Sequence, residues 1–166
     1  MKKTFICIAL LALLVSCNGS SKIVDIPISK THCTYTMIDP YLDEDKRSTE
    51  NLVIEHQGEG LLFLIYNYTN LIDIEDAKEY IDEYETTSYL FAEIKGIEIE
   101  VDSEDYDDDY QKLIYYLKID VKNLDFDALS ELENRLKTKL EVDVYESYAL
   151  AEYIASIEEY GWECEK

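Results

Sequence analysis

The sequence predicts an α+β domain, an antiparallel sheet of about five strands with two to three helices packed on it. Three observations carry that prediction. Residues 97–102, and after an acidic turn residues 111–122, alternate apolar and polar side chains with period two, as half-buried strands do. Residues 74–91 and 126–140 instead repeat apolar side chains at threes and fours, which lays them along one stripe of a helix. The segments follow the order strands, helix, strands, helices, and that segregation suits helices packed on an antiparallel sheet.

The chain opens on a segment of another kind. Met1-Lys2-Lys3 leads into an apolar core of about a dozen residues, too short to span a bilayer, which closes on Leu14-Val15-Ser16-Cys17. This is the pattern of a bacterial lipoprotein signal with its lipobox. In lipoproteins the cysteine thiol takes a diacylglyceryl group, and after cleavage it is the first residue of the mature chain. The competing reading is an ordinary secretory signal with a chance cysteine. Residues 1–16 are therefore expected to leave as signal peptide and Cys17 to carry the lipid. Residues 17–31 then form the lipidated N-terminus and a flexible tether, and residues 32–166 form one folded domain. Asn18-Gly19-Ser20-Ser21-Lys22 has the small, polar composition of a leash. Acyl chains partition into lipid at about 0.8 kcal/mol per buried methylene, so two or three hold a protein firmly. The expected location is the extracytoplasmic face of the cell membrane, or the outer membrane in a host with two. Asn18 is not the aspartate that commonly retains lipoproteins on the inner one.

The folded elements follow in order. Residues 32–38 read as a strand with Cys33, Tyr35 and Met37 on one face, broken by Asp39-Pro40. A polar, acidic loop runs through Glu50, and a second strand covers 51–57. Gly58-Glu59-Gly60 turns the chain into residues 61–69, which are apolar on both faces and predict a central strand covered by helix on at least one side. Ile74, Ala77, Ile81, Tyr84, Ser88 and Phe91 share a helical stripe, with Asp73 as cap and Glu75 and Asp76 at the positive end of the dipole. Gly96 stops that helix. Ile97, Ile99 and Val101, then Leu113, Tyr115, Leu117, Ile119 and Val121, predict a hairpin, with Lys112 and Lys118 opposite wet-face glutamates. Asp125 caps a helix striped by Phe126, Leu129, Leu132, Leu136 and Leu140. Ser147 caps a third, with Leu150, Ile154 and Ile157 inward, and Gly161 ends it before Trp162 and Cys164 run extended.

Charge narrows the partners. The formal charge of −22 becomes −24 once Lys2 and Lys3 leave with the signal. Phosphate binding needs clustered Lys and Arg, so nucleic acid is excluded as a partner. The same charge repels anionic lipid, so the domain stands off the membrane that its anchor holds. Cations or basic partners are favoured in a general way, and solubility is the plainer reading. The partners expected are thus the membrane, through Cys17, and an unidentified protein or small molecule; the domain is expected to be a monomer.

Cys7 leaves with the signal, which leaves Cys33 and Cys164 near the two ends of the domain. In a compartment that is not reducing, a disulfide between them is the natural reading. The alternative is a metal site shared with His32 and His56, although no CxxC or HxxxH spacing occurs. A second metal reading concerns Asp102-Ser103-Glu104-Asp105-Tyr106-Asp107-Asp108-Asp109-Tyr110. Asp105, Asp107 and Asp109 alternate as a calcium loop begins. The glycine expected at the sixth position is Tyr110 and the acid expected at the twelfth is Tyr116, so an EF-hand is excluded. What remains is a loose, low-affinity calcium site or a solvated turn whose charges discourage edge pairing. Asp43-Glu44-Asp45 reads as the second of these.

No catalytic constellation can be named. No Gly-x-Ser-x-Gly elbow and no phosphate loop occur. His32 adjoins Cys33, but strand neighbours point to opposite faces. Among 37 acids some pair will fall at glycosidase spacing by chance, and an envelope hydrolase would need one of them raised in pKa within a cleft. The expectation is a protein that is not an enzyme and carries no cofactor. Fifteen tyrosines are many for this length. Tyr66, Tyr68, Tyr80, Tyr84, Tyr115 and Tyr116 fall on strands or the first helix, so packing is the default role and a binding patch the functional one.

Several short motifs resemble the YehR-like family of small bacterial lipoproteins, a domain of unknown function. They are Thr31-His32-Cys33, Glu75-Asp76-Ala77-Lys78-Glu79-Tyr80, Ile94-Lys95-Gly96-Ile97, Ile119-Asp120-Val121 and the closing Tyr160-Gly161-Trp162-Glu163-Cys164-Glu165-Lys166. The resemblance spans nearly all of the mature chain and implies the same fold and anchor. A first-strand cysteine and a Cys-Glu-Lys ending recur together in such proteins, which supports a Cys33–Cys164 bridge. The chain departs from the pattern in being far more acidic, with longer acidic loops. The resemblance supplies no catalytic residue.

Overall fold

The computed structural model describes residues 26–36, 48–144, 146 and 148–165. Six strands and three helices follow in the order β1 (Ile28–Thr36), β2 (Thr49–Gln57), β3 (Gly60–Asp73), α1 (Ile74–Ala92), β4 (Ile97–Asp105), β5 (Tyr110–Asp120), α2 (Phe126–Leu136), α3 (Leu150–Glu158) and β6 (Glu163–Cys164). The strands lie side by side as β4-β5-β3-β2-β1-β6, and every neighbouring pair is antiparallel. The α+β class is as the sequence predicts.

The long apolar run does form the centre of the sheet, paired with β5 on one side and β2 on the other. It extends to Asp73, four residues beyond its predicted end, because β5 continues to pair with it through Asp73↔Tyr110. One face carries the core. Leu52, Ile54, Leu64, Leu117 and Ile119 are almost wholly buried there, with Phe91, Leu129, Leu132, Tyr153 and Ile157 from the helices in the same cluster. The opposite face carries the alternate residues, where Lys112 meets Glu104 at 2.8 Å and Lys118 meets Glu98 at 3.4 Å. The predicted cross-strand pairs therefore form, although exposed ion pairs of this kind contribute at most about 1 kcal/mol each.

Helix ends follow local chemistry. Asp73 accepts from Glu75 N at 3.0 Å and Asp125 from Ala128 N at 3.0 Å, so both predicted caps are in place. Gly96, at φ +93°, sits against the backbone of Leu124, and its carbonyl accepts from Asp120 N at 2.8 Å. A Cβ there would lie 2.7 Å from Leu124 Cα, which is why only glycine fits this turn.

Several expectations need correction. β1 begins at Ile28, so the sheet takes in residues the sequence reading gives to the tether. Ile74 is 47% exposed, because it stands at the first position of α1, beyond the sheet. α2 ends at Leu136, where Lys137 turns left-handed (φ 60°) and its N–H closes on Glu133 O. Leu140 is consequently outside the helix, yet buried, and its N–H is held by Glu133 Oε1 at 3.1 Å. In α3 the wholly buried side chain is Tyr153, while Ile154 is half-buried. Ala149 is the N-cap of that helix; Ser147, the cap expected from sequence, lies outside the described residues, as do Met37 and Asp39-Pro40.

Candidate functional site

The tyrosines that alternate along β3 and β5 point inward and meet those of α1. Tyr66 on β3 lies 6.1 Å from Tyr115 on β5 and 6.4 Å from Tyr68, centroid to centroid. Tyr115 meets Tyr84 edge to face at 5.2 Å, and Tyr84 stacks on Tyr80 at 5.8 Å. In the other direction Tyr66 reaches Trp162 at 6.3 Å, which reaches Tyr35 at 5.8 Å. A continuous chain of rings therefore crosses the helix side of the sheet. The spacings are those of favourable aromatic pairs.

Burying phenols obliges the fold to place partners for their hydroxyls. Ser48 and Ser88 are the buried polar residues among those described, and they interact with Tyr68 and Tyr115 respectively. Glu50 bonds Tyr66, and Tyr84 donates to Glu141 Oε1. The electrostatics are one-sided. Burial, then the Glu50 and Glu141 carboxylates, push the Tyr66 hydroxyl far above its ordinary value. Burial and Glu141 do the same to Tyr84 and Tyr115. Glu50 itself is raised, chiefly by burial; the Tyr66 hydrogen bond opposes the shift and Glu141 adds to it. The phenols stay protonated and the local field is negative.

Between α1 and the segment 138–141 the ring cluster opens into a cleft of about 240 Å³. Tyr80, Tyr84 and Tyr115 supply aromatic walls, and Glu83, Glu141 and Lys139 are the charged residues of the lining. Glu141 also borders a second cleft of about 220 Å³, against Leu52, Tyr153 and Trp162. The geometry can receive a small ligand against tyrosine faces beside carboxylates. Of the tyrosines flagged from sequence, Tyr66 and Tyr115 are buried, Tyr68, Tyr84 and Tyr116 half-buried, and Tyr80 is 40% exposed. Glu50, Glu141, Ser48 and Ser88 have no functional mark in the sequence.

The other candidate residues separate. Cys33 and Cys164 are paired across β1 and β6 and joined by a disulfide. That removes the metal site with His32 and His56: both thiols are committed, His32 is exposed, and His56 Nδ1 lies 3.0 Å from Gly58 O. At the β4–β5 turn Asp107 accepts from Asp109 N and Tyr110 N at 2.9 Å each, and Asp105 from Gln111 at 3.3 Å. Among the described residues no three His, Cys, Asp or Glu side chains gather as a metal would require, so Asp105, Asp107 and Asp109 do not form a cage here. Cys17 and Asp43-Glu44-Asp45 lie outside the described residues.

No protein-family model matches the chain, and no curated protein does. Two solved structures share its fold. The NMR structure of a protein from Streptococcus pneumoniae TIGR4 has a TM-score of 0.52 at 18% identity, covering 84% of this chain and 86% of that one. The NMR structure of the Escherichia coli YehR protein also has a TM-score of 0.52, at 15% identity, covering 82% of this chain and 91% of that one. At these identities the likeness is one of fold, and a YehR-type α+β architecture is what it establishes.

Proposed function

We propose that this chain is a YehR-like lipoprotein, anchored through Cys17 on the extracytoplasmic face of the membrane, whose domain is a non-catalytic binding module. The lipobox supports the anchor, and the Cys33–Cys164 disulfide supports an oxidising compartment. The observation that carries the binding role is the cleft between α1 and residues 138–141, where the ring cluster surfaces beside Glu141. Two measurements test the reading. A Cys17→Ser variant should lose its lipid by mass spectrometry and be released from membranes; retention of an acylated chain overturns the anchor. In an NMR screen of small molecules against the domain, shift perturbations should cluster on Tyr80, Tyr84 and Glu141. Perturbations confined to other surfaces overturn the cleft.

One observation favours a second reading, an envelope hydrolase using a carboxylate pair. Glu50 has the raised pKa that a general acid needs, and Glu141 is near enough to contribute to it. Glu50 is, however, engaged with Tyr66 inside the ring cluster, whereas Glu83 and Glu141 line the cleft. Turnover of envelope polymers that disappears in Glu50→Gln would establish the hydrolase and remove the binding module.

A further inference from the structure

We propose that the cleft between α1 and residues 138–141 selects a small organic ammonium ion; this rests on the cleft being the ligand site. Its walls have the form such a cation requires. Tyr80 and Tyr84 stack with 20° between their planes, and Tyr115 stands at 87° to Tyr84, so ring faces and an edge meet at a corner. A cation is drawn to the electron-rich face of a ring, and an alkylated ammonium gains both that attraction and apolar contact. The volume, about 240 Å³, lies below the roughly 300 Å³ at which drug-sized pockets begin, and so suits one headgroup.

Charge selects the sign. The charges of Glu141 and Glu83 both act on the Tyr80 hydroxyl, so their fields converge where a ligand would sit. The Tyr84 hydroxyl already donates its proton to Glu141, so it has no proton left to offer an anion. Lys139, which also lines the cleft, is 3.6 Å from Asp143. Two carboxylates thus line the cleft against one lysine that already has a carboxylate partner, so the balance of charge favours a cation over an anion. Glu83 lies on the exposed side of α1 and Glu141 on the segment after α2, so the cation would bridge two elements that already share the Tyr84–Glu141 bond.

The test uses the folded domain with its disulfide intact and three probes: choline chloride, its neutral carbon isostere 3,3-dimethyl-1-butanol, and sodium chloride at matched ionic strength. Choline is expected to give saturable NMR shifts at Tyr80, Tyr84 and Glu141, and the isostere to bind at least tenfold more weakly. Glu141→Gln and Tyr80→Ala, both at exposed positions, should each weaken choline binding several-fold while the far-UV circular dichroism is unchanged. Equal affinity for choline and the isostere, lost together in Tyr80→Ala, would keep the cleft as a binding site and overturn its selectivity for cations. Shifts with choline no different from those with sodium chloride, and none with the isostere, would overturn both the cation and the cleft.

Discussion

Removing the Cys33–Cys164 bridge is the sharpest perturbation available, because its size follows from the chain alone. The bond joins residues 131 apart in sequence. Loop-closure entropy for a ring of that length amounts to about 5 kcal/mol at 25 °C, as an upper figure. A domain of this size is typically stable by about 5 to 15 kcal/mol, so the loss is a large fraction of the whole. Cys164→Ala is the suitable variant, since Cys164 is half-buried while Cys33 is 1% exposed and its thiol packs as a small apolar group. Urea unfolding should be followed by two signals, far-UV circular dichroism for the sheet and fluorescence of Trp162, the single tryptophan. Trp162 lies between the rings of Tyr35 and Tyr66, next to the bond, and reports the C-terminal end. If the bond acts on the unfolded ensemble, both midpoints fall together, by roughly 2 M urea at slopes usual for small domains. A dichroism midpoint within about 0.3 M of the parent, with the Trp162 signal lost early, would refute the entropic reasoning: the bond would then only pin β6 to β1.

Three further outcomes are expected. Gly96→Ala should cost at least about 2 kcal/mol in urea unfolding, because the new Cβ meets Leu124 backbone atoms at 2.7 and 2.8 Å while φ stays at +93°. Tyr66→Phe should cost about 1 to 3 kcal/mol by thermal unfolding, since it leaves the desolvated Glu50 carboxylate without its phenolic donor; a smaller loss would mean that water replaces the donor. Glu50→Gln should flatten the pH dependence of stability. Folding raises the Glu50 pKa, so the native state holds a proton that the unfolded chain releases. That contribution is present below the ordinary glutamate value and is lost as pH rises through the raised one. Parent and variant compared by unfolding across that window should therefore diverge as pH increases, with the variant gaining relative stability.

Much of the fold is legible in the residues because period and punctuation agree. The alternation in 97–122 predicts both the hairpin and the Lys112 and Lys118 pairs, since a pleated strand permits only one assignment of faces once Leu113 and Leu117 are inside. Asp73 and Asp125 act as caps because a short carboxylate reaches the free N–H groups of a first turn. Reading fails where tertiary packing decides. Leu140 continues a helical stripe in sequence, yet α2 stops at Lys137, and the chain still delivers Leu140 to the core by another path. Nothing in a periodicity separates a stripe that continues from one whose last member arrives through a loop.

That failure is also why the site was not readable. The ring cluster could be anticipated in part, because Tyr66, Tyr68 and Tyr115 alternate on strands whose inner face is apolar. Its carboxylates could not. Glu50 reads as the end of an acidic loop, although β2 takes it in from Thr49, and Glu141 is one of 37 acids with no spacing that singles it out. Glu141 reaches Tyr84 only because Lys137 turns left-handed and Glu133 then holds Leu140 by its N–H, which sets the direction of the next residue. A charge becomes part of a site through the backbone that aims it, and here the aiming is done by a turn at an ordinary lysine. In the acid cluster that stands out in sequence, 102–110, Asp102 and Asp107 turn their carboxylates to backbone N–H groups within the same segment. Density of charge along the chain therefore does not single out the ring cluster, whereas the fold brings Glu50 and Glu141, 91 residues apart, against its aromatic rings.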